Sequence, residues 1–216
     1  GMYDISKDVE FVPMIIDYDT QNGDKTRARK ALEKYVRIHN SAYPTDRISI
    51  NSEYRNFFLP KVSYLSEVAK DRGQNDINIG QTFEFTFNGT NSSAKGTFAD
   101  FLGVGNLTDN KHNTKELLSA LYNDANITDT DDYPYTELNL DMEQGFKGNP
   151  NIGTVVFDKI SSSPEYKTFE RVFDPLNDRI FIIGSIFGGT GSSGIPQLIK
   201  SIRNNATTGW RTALIG

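Results

Sequence analysis

FIIGSIFGGTGSSGIPQLIKSI, residues 181–202, is the stretch on which the reading of this chain turns. An apolar, strand-like run ending at Ile183 leads into Gly188, Gly189, Gly191 and Gly194, interleaved with Thr190, Ser192 and Ser193. A helical pattern through Leu198, Ile199 and Ile202 follows. A helix N-terminus presents unpaired N–H groups and the positive end of the helix dipole. Glycines ahead of it remove side chains, so main-chain amides can close around an anion. Four glycines and three hydroxyls in seven residues exceed what a capped turn needs. The chemistry they suit is phosphate binding.

Several phosphate loops share this general form. A P-loop ends in Gly-Lys-Ser/Thr, and here no lysine follows before Lys200. A dinucleotide fingerprint matches by letter as Gly189-x-Gly191-x-x-Gly194. That fingerprint also wants an acid about 20 residues on, and residues 195–216 contain none. A Rossmann dinucleotide-binding oxidoreductase fragment therefore stands only as an alternative.

Outward from the turn, strands and helices alternate. VEFVPMIID (9–17) reads as a buried strand, bounded by Asp17, Asp19 and an Asn22-Gly23 turn. Asp24 is the expected cap of a helix over 25–39, with Ala28, Ala31, Leu32, Tyr35 and Val36 on one face. Residues 51–72 read as helix interrupted at Pro60, and QTFEFTFNG (81–89) alternates Phe83, Phe85 and Phe87 with polar residues, the period of a half-buried strand. A short amphipathic helix is expected over 113–123 through Leu117, Leu118 and Leu121, then an acidic loop over 124–136. Residues 154–158, 179–184 and RTALI (211–215) read as strands, and 194–204 as helix. This order predicts an α/β fold with an at least partly parallel sheet, in one domain over 1–216 with an irregular insertion at about 73–140.

GSIFGGTGSSGIP resembles the phosphate-binding signature of the tubulin/FtsZ superfamily, GGGTGSG or GGGTGTG followed by a helix. Gly188, Gly189, Thr190, Gly191 and Ser192 match, while Phe187 and Ser193 stand where the pattern has glycine. GFKGNPNIG (145–153) resembles the family's third nucleotide loop, and VEFVPMIIDYDTQNGD its second strand with the acidic loop after it. The resemblance covers residues 9–40 and 141–216. It implies a three-layer α/β sandwich and a GTP site assisted by Mg²⁺, with assembly into homopolymers. It implies phosphate binding by Gly188, Gly189, Thr190, Gly191 and Ser192, a terminal-phosphate loop of Gly148, Asn149 and Pro150, and Asp17 and Asp19 as candidates for orienting magnesium-bound water. The family's first strand and first glycine-rich loop have no counterpart before Val9, and its C-terminal domain, with the acid that activates water, none before Gly216. The chain is therefore expected to be a fragment that does not hydrolyse GTP alone, and a GTPase only if a longer protein supplies those parts.

Composition narrows the alternatives. There is no cysteine, hence no disulfide or thiolate metal site, and His39 and His112 are the only histidines. His39 near a helix C-terminus suits a dipole contact, and His112 has no evident partner. Neither supplies a base for a serine nucleophile. A net charge of −5 without a long basic run argues against a nucleic-acid partner. No apolar run reaches the length of a membrane span and no signal peptide is evident, so a cytoplasmic location is expected. The competing class is a structural or interaction module that keeps the fold without a nucleotide site.

Overall fold

The computed structural model describes residues 9–20, 22–42, 60–85, 96–103, 112–122, 137–205 and 209–216. They mix helix and strand and gather into two compact units. One comprises Gly1–Ile16, Asn22–Thr86 and Pro164–Phe173, the other Asp17–Gln21, Phe87–Ser163 and Asp174–Gly216. The expected loop at 124–136, and Phe87 of the alternating stripe, lie outside the described residues.

In the first unit, β1 (Glu10–Phe11) pairs in parallel with β2 (Lys61–Val62), Glu10 opposite Lys61 and Phe11 opposite Val62. The run 9–17 is thus not one buried strand. Val9 and Phe11 are exposed, Pro13 has no N–H to give a ladder, and pairing resumes only at Ile15, which bridges Glu84 in parallel. Around that bridge Phe83 and Phe85 are buried and Glu84 is half-buried, the alternation the sequence predicts. Helix α1 (Gly23–Ala42) begins two residues earlier and ends three residues later than expected. Asn22 is what accepts at its start, from the N–H groups of Asp24 (2.8 Å) and Lys25 (3.3 Å), so Asp24 is a first-turn acid and not the cap. His39 sits in the last turn and stacks on Tyr35. Of the helix expected over 51–72, residues 60–64 are strand and extended chain and only α2 (Leu65–Asp71) is helical; 51–59 lie outside the described residues. The helix facing α2 is α6 (Pro164–Val172), which buries Tyr166, Phe169 and Val172. Burial pushes the Tyr166 phenol well above its ordinary range.

In the second unit, α3 (Phe98–Leu102) and α4 (His112–Tyr122) lie against a single 3₁₀ turn at Glu137–Asn139. Leu117 and Leu121, expected on the buried face of α4, are exposed, and Leu118 is half-buried. The expected strand at 154–158 is helix: α5 spans Pro150–Phe157. The Asn149 cap and Pro150 at the first helical position outweigh the β-branched Thr-Val-Val run, and Ile152, Gly153, Val156 and Phe157 are buried at helical spacing. Residues 180–182 are extended, and Ile180 bridges Ile215 in parallel. Ile180 N donates to Leu214 O (3.0 Å), Gly216 N to Ile180 O (2.9 Å) and Ile182 N to Gly216 O (2.8 Å). RTALI is strand only in its second half, because Trp210–Thr212 is a 3₁₀ turn. On this pair Phe181, Ile183 and Leu214 share one face and are exposed by 75, 96 and 59%. Helix α7 (Gly189–Arg203) carries Pro196 inside it, and Arg203 Nη1 donates to the carbonyls of Trp210, Arg211 and Ala213. Among the described residues no helix is long and apolar enough to cross a membrane.

Candidate functional site

The glycine-rich turn opens α7. Gly188 is extended (φ −109°, ψ 161°), no side chain caps the helix, and no acid stands in its first turn. The first helical bond runs from Ser192 N to Gly188 O (3.1 Å). The N–H groups of Gly189, Thr190 and Gly191 precede it and have no acceptor within the helix. The serine hydroxyls turn inward: Ser192 Oγ donates to Gly188 O (2.6 Å) and Ser193 Oγ to Gly189 O.

The second expected loop opens α5. Gly145, Lys147 and Gly148 all have positive φ (73°, 44° and 79°), and this reverses the chain into Asn149. Asn149 Oδ1 accepts from Asn151 N (3.0 Å) and Ile152 N (3.4 Å), while its Nδ2 donates to Glu137 Oε1.

The two loops are neighbours because α5 and α7 run side by side in the same direction. A Cβ built on Gly189 would stand 2.8 Å from Phe146 Cβ and 3.3 Å from Asn149 N. One on Gly153 would stand 2.1 Å from Ser193 Oγ, and one on Gly194 2.9 Å from the Phe157 ring. These contacts run in register from N- to C-terminus, so the positive ends of both helices come out together. Gly191 is held by a different neighbour, since its Cβ would meet the Ser185 carbonyl oxygen at 1.9 Å. Gly188 alone of the turn's first three glycines has nothing within 4 Å of a Cβ.

The acidic loop completes the constellation. Thr190 Oγ1 donates to Asp17 Oδ1 (3.0 Å), and Asp19 N donates to the same oxygen (3.2 Å). Asp19 lies against Gly145, whose Cβ would stand 3.2 Å from the aspartate's own. Tyr18 between them is buried on Phe146, its phenol pushed above the usual range by that burial. Thr20 N donates to Glu143 O (3.2 Å).

All the residues singled out in the sequence thus gather in one unit: Gly188–Ser192 at one helix start, Gly148–Pro150 at the next, and Asp17 and Asp19 beside them. Two of the turn's hydroxyls are engaged within the protein. The Thr190 hydroxyl is engaged with Asp17, and the Ser192 hydroxyl with its own helix. Glu137 was not legible as part of the site, since no motif reaches it. Among the described residues no group of three or more His, Asp or Glu could hold a metal ion. Asp17 and Asp19 supply two carboxylates, and Mg²⁺ is commonly bound by one or two carboxylates with its other positions filled by water or phosphate oxygens. No family model, curated protein or solved structure matches this chain.

Proposed function

We propose that the paired starts of α5 and α7 bind the phosphates of a GTP-type nucleotide, in a chain whose three-layer α/β sandwich is of the tubulin/FtsZ kind. The observation that carries this reading is the juxtaposition of Asn149–Pro150 with Gly188–Gly189, two helix N-termini opening together. Among the described residues three of the four strand pairings are parallel, β1 with β2, Ile15 with Glu84 and Ile180 with Ile215, which supports the fold, while Thr97 with Asp141 is antiparallel. Main-chain N–H groups at 189–191 are the donors, Gly188 leaves room for close approach, and Gly148 shapes the adjoining turn.

The charges decide the form of the ligand. A helix N-terminus favours an anion by about 0.3–1 kcal/mol, or ~2 kcal/mol when partly buried. Two like unit charges about 4 Å apart repel by on the order of 4 kcal/mol at an effective dielectric near 20, so a carboxylate such as Asp17 opposes a phosphate bound close to it. Two helix ends roughly balance that repulsion without a cation. Asp17 and Asp19 would hold a Mg²⁺, whose charge would offset that repulsion and turn the sign favourable. The ligand is therefore the magnesium–nucleotide complex, and the base is guanine by resemblance. Assembly into homopolymers rests on the resemblance in the same way, and hydrolysis is not assigned to this chain.

A second reading has its own observation. Most glycines of the turn are already explained by packing, so the same sequence suits a structural or interaction module without nucleotide. A thermal-shift titration with GTP, ATP and NAD, each with and without Mg²⁺, separates the readings. Magnesium–GTP should raise the melting point by the equivalent of about 2.7 kcal/mol at a hundredfold excess over Kd, and Gly188→Ala should reduce the shift. A cooperative melt that no nucleotide moves would favour the module, and a shift by NAD alone the Rossmann alternative.

A further inference from the structure

We draw no further inference here: the strongest candidate, the exposed apolar face that Phe181, Ile183 and Leu214 form on the parallel pair at 180–182 and 214–216, carries nothing because nothing in the structure shows what covers it.

Discussion

Gly153 of α5 lies so close to Ser193 of α7 that a β-carbon on it would stand 2.8 Å from the serine Cβ and 3.1 Å from Gly189 O. Ser193 is 1% exposed and has no room to retreat. Alanine is the better helix former by about 0.8–1.0 kcal/mol, but overpacking of this kind costs about 1–3 kcal/mol. The clash wins, and Gly153→Ala should lose about 1–2 kcal/mol in urea unfolding. Adding Ser193→Gly should recover part of that loss, and additive losses would show that the two positions do not touch.

The glycines of the phosphate turn divide in the same way. Gly189→Ala and Gly191→Ala each meet atoms at under 3.0 Å, the second a backbone carbonyl. Each should destabilise by about 1–3 kcal/mol. Gly188 has a negative φ and open space, so Gly188→Ala should stay within about 0.5 kcal/mol of the parent. Unfolding curves for the three variants check this, and equal losses would contradict the packing.

The cap of α5 is tied to a carboxylate. Asparagine and aspartate are about equally good caps, so Asn149→Asp would ordinarily be neutral. Here Asn149 Nδ2 donates to Glu137, and an aspartate would set two carboxylates face to face. Asn149→Asp should therefore cost about 1–2 kcal/mol, and Glu137→Gln should restore most of it. A neutral Asn149→Asp would show that Glu137 does not hold the cap.

Trp210 is the chain's one tryptophan and is buried, so its fluorescence reports on the second unit. Arg203 supplies hydrogen bonds to three carbonyls at that turn, from 2.7 to 3.4 Å. Arg203→Met keeps the length of the side chain and removes the donors. It should lower the urea midpoint by the equivalent of about 1–3 kcal/mol, with the same fluorescence change on unfolding.

The pair of β1 and β2 should respond weakly to pH. Burial alone would raise the Glu10 carboxyl, but its hydrogen bonds with Lys61 and Ser63 and the nearby positive charges hold it below its ordinary 4.5. Its stabilising effect is therefore complete above pH 4.5 and is lost as pH falls through the lower folded value. Lys61 is raised above 10.5 chiefly by its hydrogen bond with Glu10, so its share is present below 10.5 and lost as pH rises through the higher folded value. Both side chains are about a third or more exposed, so solvent screening keeps the effect under ~1 kcal/mol. Comparing parent with Glu10→Gln at pH 3 and pH 7 tests the sign: only the parent should lose this increment on acidification.

Sequence patterning reached the site further than it reached the fold. The helix expected over 194–204 is present but starts at Gly189, five residues earlier, within the Gly-Gly-Thr-Gly turn itself, and Asn149-Pro150 opens a helix where no helix start was expected. The strand assigned at 154–158 failed because Val155 and Val156 favour strands while the signal for helix lay five residues upstream, in Asn149 and Pro150. Helix α6 went unassigned because PEYKTFERV is mostly polar; two of the residues it buries, Glu165 and Thr168, are polar types. The bond from Asn149 to Glu137 joins residues with no motif in common, and only folding brings them together.

The close contact between α5 and α7 also governs what descent could preserve. Selection for a folded chain alone would keep glycine at 153, 189 and 194, whether or not any ligand was ever bound, because the partner helix or its entry loop occupies the space a side chain would need. Position 188 is under no such obligation. A lineage that stopped using a ligand could change residue 188 at once and leave the rest of the signature standing, so the history of that one position would record the loss.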